Sequence, residues 1–168
     1  MKWLPYENFY VDTNLKPDAV QSDLETEVGP DPGFTFTTIF SQRSECYFLG
    51  SVANGTFRIR RQIYYRNSFL PRITGTIEPY LNGSRVHVKM MPHILVTIFM
   101  CMWMGGVGVA CLVVLFIYTK AENFNAVTLV PFGMFLFGYV LFTGGFKFES
   151  IKAKTRLAEI FQGNITEA

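Results

Sequence analysis

Charge is scarce in this sequence. Only 17% of its 168 residues are Asp, Glu, Lys or Arg, against roughly 25% in soluble domains. Two long stretches, Ile94 to Tyr118 and Ala126 to Phe146, contain none at all. Histidine is limited to His87 and His93, and cysteine to Cys46, Cys101 and Cys111. No CxxC and no metal-ligand spacing occurs, which argues against a zinc module or a disulfide framework and fits a reducing compartment. GxSxG, HExxH, Walker and GxGxxG sequences are missing, and so is a carboxylate cluster. Nothing therefore points to an enzyme or a cofactor. The start, Met1 to Glu7, has no apolar h-region, so a cleaved secretory signal is not expected.

What the sequence has instead is apolar bulk: 49% hydrophobic and 16% aromatic residues. As a helix, Ile94 to Tyr118 would extend about 37 Å and Ala126 to Phe146 about 31 Å, each enough for a hydrocarbon core about 30 Å thick. The short connection Thr119 to Asn125 joins only antiparallel neighbours, so the two runs predict a transmembrane hairpin. Arg85 and Lys89 precede the first run; Lys147, Lys152, Lys154 and Arg156 follow the second; the connection holds Lys120 alone. By the positive-inside rule both termini are cytoplasmic, in a multi-pass protein of the cell (inner or plasma) membrane. Cys101 and Gly105, Gly106 and Ala110, and Gly133 and Gly138 are small residues that let helix backbones approach, within one hairpin or along a homo-oligomer seam. Pro131 comes early enough to kink the second span. Neither span carries an Asp, Glu, Lys, Arg or His, which argues against a pump or transporter.

Charge is also unevenly distributed. Residues 1–33 hold two basic and seven acidic side chains, whereas residues 34–93 hold eight basic and two acidic. Tyr6 to Asp12 reads as a strand. Pro17 suits the first turn of a helix, Val20, Leu24 and Val28 make its apolar stripe, and Gly29 with Pro30 and Pro32 ends it. Its acidic residues form a solvated face. The period then changes to two over Phe34–Phe40, Glu45–Val52, Thr56–Tyr65, Arg72–Tyr80 and Arg85–Met91. Asn54-Gly55 and Asn82-Gly83 sit where hairpin turns belong. These turns set a register in which Val52 faces Phe57, Gly50 faces Ile59 and Phe48 faces Arg61. In the second hairpin Pro79 faces Val86, Ile77 faces Val88, Gly75 faces Met90 and Glu78 faces His87. Glu149 to Phe161 reads as a closing helix with Ile151, Leu157, Ala158 and Phe161 inward and Gly163 as its stop. The fold class is thus a membrane protein with a small α+β domain, mainly antiparallel sheet. Residues 1–92 form the cytoplasmic domain, 93–146 the hairpin and 147–168 a helix packing on the sheet. In element order it resembles helix-grip domains, and it is similar to bacterial pleckstrin-homology-type domains on membrane proteins.

Alternation places Arg58, Arg60, Arg66, Arg72, Arg85, His87 and Lys89 on the polar face of the sheet. Anionic lipid attracts such residues at about 1 kcal/mol each, so headgroup contact competes with a plain topology-setting charge bias. No RNA-binding motif accompanies the basic set, and nucleic acid is not expected. Arg61 breaks the pattern by facing inward. It marks a small-ligand pocket, a β-bulge that turns it outward, or an internal ion pair. Glu78 opposite His87 is the one tempting acid–base pair, and cross-strand pairs on exposed faces are common without catalysis. The expected function is a non-enzymatic, membrane-anchored binding or scaffolding module for lipid or a partner protein. The alternatives are a homo-oligomeric subunit or pore packed through its glycines, and a ligand sensor around Arg61.

Overall fold

The computed structural model describes residues 4–30, 46–63, 67–118 and 126–167. The chain runs β1 (Glu7–Thr13), α1 (Pro17–Glu27), β2 (Val28–Pro30), β3 (Phe48–Ala53), β4 (Thr56–Arg61), β5 (Arg72–Tyr80), β6 (Gly83–Met91) and α2 (Ile94–Tyr118). A 3-10 turn at Ala126–Leu129, α3 (Val130–Ile160) and β7 (Asn164–Glu167) complete it. The expected strand Phe34–Phe40 and the connection Thr119 to Asn125 lie outside the described residues. The strands form one sheet in the order β2-β3-β4-β5-β6-β1-β7, antiparallel except for β2 beside β3. The molecule is thus a mixed α+β protein: a seven-stranded, mostly antiparallel sheet plus two long apolar helices packed together.

Helix α1 begins with Pro17 and buries Val20 and Leu24, one turn apart on the same stripe. It does not end on a glycine cap as expected. Val28 is already extended, and Val28-Gly29-Pro30 pairs with Phe48-Leu49-Gly50 as a parallel strand. Gly29 is buried there as a ladder residue.

The first hairpin has the expected register, with Val52 opposite Phe57, Gly50 opposite Ile59 and Phe48 opposite Arg61. Asn54 and Gly55 take φ of 51° and 68°, the two positive values a type I′ connection needs. The second hairpin is shifted by two. Its loop is Leu81-Asn82, with Tyr80 opposite Gly83, Ile77 opposite Val86, Gly75 opposite Val88 and Ile73 opposite Met90. Leu81 takes the positive φ of 50°. The reason lies in the neighbouring strand. A Cβ on Gly83 would stand 2.0 Å from the Thr13 carbonyl oxygen, so this glycine serves the approach of β1 rather than the turn. A shift of two keeps every side chain on its expected face.

The inner face carries Phe9, Val11, Phe57, Ile59, Ile73, Val86, Val88 and Met90, all buried. Its cover is α1, through Val20 and Leu24, together with the C-terminal part of α3. The second apolar run and the closing helix, expected as separate elements, are one uninterrupted 31-residue helix. Backbone hydrogen bonding is indifferent to the change from apolar to charged side chains near Lys147, so composition alone misplaced a break there. Phe146, Glu149, Ser150, Ala153 and Leu157 form the buried stripe, followed by Phe161 just past the helix end. Ile151, expected inward, is exposed. The helix ends in a Schellman motif: Gln162 takes φ 46°, its N–H donates to Glu159 O, and Gly163 N–H donates to Ala158 O. Gly163 then lies against the Asp12 backbone, and β7 adds to β1.

Candidate functional site

The outer face of the sheet sorts into rows across the strands. Strand β6 ends at Met91 and α2 starts at Ile94, so the row containing Met91 is the one nearest the long helices. That row reads Leu49, Arg60, Arg72, Met91. The next reads Ser51, Arg58, Thr74, Lys89, Asn8. Among the described residues these two rows hold Arg58, Arg60, Arg72 and Lys89 and no carboxylate position. Arg60 and Arg72 are direct cross-strand partners. Arg58, Arg72 and Lys89 are exposed.

The two distal rows are different. Thr76, His87, Tyr10 and Thr166 form one, and Glu78, Arg85, Asp12 and Asn164 the other. Arg85 grips Asp12 through Nε to Oδ1 at 2.6 Å and Nη2 to Oδ2 at 2.9 Å. Its guanidinium also lies 3.7 Å from the centroid of Tyr80. The hydrogen bonds from Arg85 hold the Asp12 carboxyl below the usual carboxylate range. His87 donates from Nε2 to Asn8 Oδ1 at 2.7 Å and stacks on Tyr10 with ring centroids 4.7 Å apart. Burial, helped by nearby Lys89, pushes its pKa down. The register puts Thr76, not Glu78, opposite His87, which removes the acid–base pair considered from sequence. Of the seven basic residues expected on this face, Arg85 and His87 are thus engaged within the sheet. Arg58, Arg60, Arg72 and Lys89 gather near the helices, and Arg66 lies outside the described residues. Sequence alternation found the face; it could not order the rows, which depend on the register.

Arg61 faces inward, as strict alternation required, and no bulge turns it out. Its Nη1 pairs with Glu149 Oε2 on α3, where the Glu149 side chain is fully buried. Tyr47 lies between two guanidiniums, with Arg61 and Arg156 each 5.6 Å from its ring centroid. Arg156 also holds Glu27 at 2.9 Å and Glu159 at 3.1 Å, and these hydrogen bonds raise its pKa. Lys147 pairs with Glu7. Three ion pairs thus fasten α3 to β4, β1 and α1.

The helices α2 and α3 run antiparallel, since Gly108 faces Phe135 while Met104 and Trp103 face Gly138. Gly138 is buried in this contact, with its Cβ position 3.2 Å from Met104 Sδ. Among the described residues nothing lies within 4 Å of a Cβ on Gly105, Gly106 or Gly133, and Cys101 is exposed. Gly106 and Ala110 border an outward groove of about 440 Å³ with Pro131 and Met134.

A second cavity, about 490 Å³, opens where the helices meet the sheet. Asn67, Ser68 and Phe69 of the β4–β5 connection form one wall, and Leu95, Phe99 and Leu141 belong to the other.

Taken together, fold and surface define an α+β protein with an apolar helical pair and a basic sheet margin beside it. No family model matches the chain, and neither a curated protein nor a solved structure is detectably similar to it.

Proposed function

We propose that the protein is a membrane-anchored, non-enzymatic binding module. Helices α2 and α3 span the bilayer as a hairpin, the sheet lies on the cytoplasmic side of the cell membrane with both termini, and the basic margin binds anionic lipid headgroups. The observation that carries this reading is the row order. Arg58, Arg72 and Lys89 are exposed on the two rows nearest the helices, where no ladder position among the described residues is a carboxylate, while Arg85 in the distal rows is paired with Asp12.

The membrane part rests on length and exposure. Helix α2 has 25 residues, about 37 Å of helix against a hydrocarbon core of about 30 Å. Both helices are long and apolar enough to cross, and neither is a buried core helix: Leu112, Phe116 and Phe137 are about two-thirds exposed. Water would not tolerate so much contiguous apolar surface on a monomer. Lys and Arg on the sheet side of both helices favour the cytoplasm for that side. Each cation near an anionic leaflet adds about 1 kcal/mol, so four make a substantial bias toward such lipid.

The test is to extract the full chain with its surrounding lipid in polymer-bounded discs and compare that lipid with the bulk membrane. Wild type is expected to be enriched in anionic phospholipid. The quadruple variant Arg58→Glu, Arg60→Glu, Arg72→Glu, Lys89→Glu is expected to lose the enrichment. Equal lipid composition around both proteins would sink the reading.

A further inference from the structure

The open cleft at the junction has one apolar wall and a polar end. Its sheet-side wall is stiffened locally: Asn67 Oδ1 accepts from Phe69 N–H at 3.0 Å, an Asx turn. The Phe69 ring then rests on α3, 5.8 Å from the centroid of Phe142, over Gly145, where a Cβ would come within 2.9 Å of the ring. The wall is therefore seated on a position that only glycine leaves open. The helix-side wall is apolar, built from residues such as Leu95, Phe99 and Leu141, while Asn67 and Ser68 supply a polar end. About 490 Å³ falls within the range of small-molecule sites, and one apolar wall with a few polar groups at one end suits an amphiphile.

Register ties this cavity to the basic margin. Two residues, Leu70 and Pro71, separate Phe69 from Arg72, and Arg72 is the ladder partner of Met91. Four residues beyond Met91 is Leu95, on the opposite wall. Both walls thus lead directly into the Arg60, Arg72, Met91 row. A ligand with an apolar tail in the cavity would carry its head among cations.

We propose that this cavity holds an acyl chain of a single anionic phospholipid, with the lipid phosphate taken by Arg72 and its neighbours in the basic rows. This rests on the headgroup-binding reading and adds to it a discrete, one-to-one site. A basic margin alone would gather lipids loosely and exchange them; a margin with an adjoining cavity selects one lipid by tail and head together.

Native mass spectrometry of the full chain tests it, after release from micelles loaded with equal phosphatidylglycerol and phosphatidylcholine. Wild type is expected to retain one phospholipid, with phosphatidylglycerol preferred about tenfold. Val96→Trp fills the cavity from the helix side, and Ser68→Trp narrows it from an exposed position that folding tolerates. Both should lower retention about tenfold, whereas Ile98→Trp, on the outward side of the same helix, should not. No retained lipid in wild type, or equal retention in Val96→Trp and Ser68→Trp, overturns the site. Retention without preference between the two lipids overturns the anionic assignment. If both cavity variants keep the lipid while the quadruple charge variant loses its anionic annulus, the cavity proposal fails and the basic-face reading stands. If the cavity variants lose the lipid while the charge variant keeps its annulus, the basic-face reading fails.

Discussion

The Arg61–Glu149 pair joins residues 88 positions apart and takes a carboxylate wholly out of water. Removing one partner of such a buried pair costs about 3–5 kcal/mol. Arg61→Leu and Glu149→Leu should each destabilise the protein by that order in unfolding titrations in mild detergent. The double variant should recover most of the loss, because two apolar groups need no partner. His87 offers a second test at this scale. Its pKa is depressed by burial against Tyr10 and Asn8, so the folded protein binds its proton less readily than the unfolded chain. The associated stability is present above the ordinary histidine value of about 6.5 and is lost as pH falls through it toward the lower folded pKa. An NMR titration of imidazole-labelled protein should give His87 a midpoint below that of an exposed histidine. Replacement by Gln should flatten this part of the stability profile. The inward direction of Arg61 was legible from alternation alone. Its partner was not, since Glu149 sits in a charged stretch where a solvated face is the ordinary expectation.

Among the elements, the sheet's hairpins show where sequence signals succeed and where they are overruled. Asn54-Gly55 closes its turn as turn chemistry requires, with nothing competing for the glycine. Gly83 is claimed by Thr13 of β1, so Leu81 is left in the left-handed region with its side chain 88% exposed. Holding a non-glycine residue there costs roughly 1–2 kcal/mol. Leu81→Asn should therefore raise the unfolding midpoint slightly, whereas Gly83→Ala should lower it markedly, both read by thermal denaturation in detergent. Strands β2 and β7 escaped sequence reading because three or four residues show no period. Among the described residues, β2 and β7 have ladder partners only on β3 and β1. The helical pair yields a sharper contrast. Gly138→Leu should push α2 and α3 apart and destabilise the monomer, because Met104 and Trp103 already occupy that space. At Gly105 and Gly133 an added Cβ meets nothing within 4 Å among the described residues, so Gly105→Leu and Gly133→Leu should disturb the helical pair far less. Light scattering in detergent should give these two the wild-type mass if the chain is a monomer. A dimer that dissociates on substitution would instead make the unoccupied glycines a seam between copies.

For the whole molecule, surface electrostatics make a further demand on the lipid-binding reading. Exposed charges are screened over about 10 Å at 0.1 M salt and about 3 Å at 1 M. The anionic lipid collected by the basic rows should thus thin out when discs are formed at high salt. A phospholipid lodged by its tail beside Phe69 should be less sensitive. Much of this architecture was visible in the sequence: two apolar runs, an alternating domain and a basic block before the first run. The uninterrupted α3 was not, because the residues around Lys147 change in character but not in conformation. That continuity has a mechanical consequence. Thirty-one residues make a rod of about 47 Å, longer than a hydrocarbon core of about 30 Å. Ion pairs to β4, β1 and α1 and a buried stripe clamp its far end to the sheet and to α1. Helices respond to bilayers of different thickness by leaning. In the membrane-anchored reading proposed above, α3 has no joint to absorb the lean, so the angle of the rod and the pitch of the sheet against the membrane surface become a single degree of freedom.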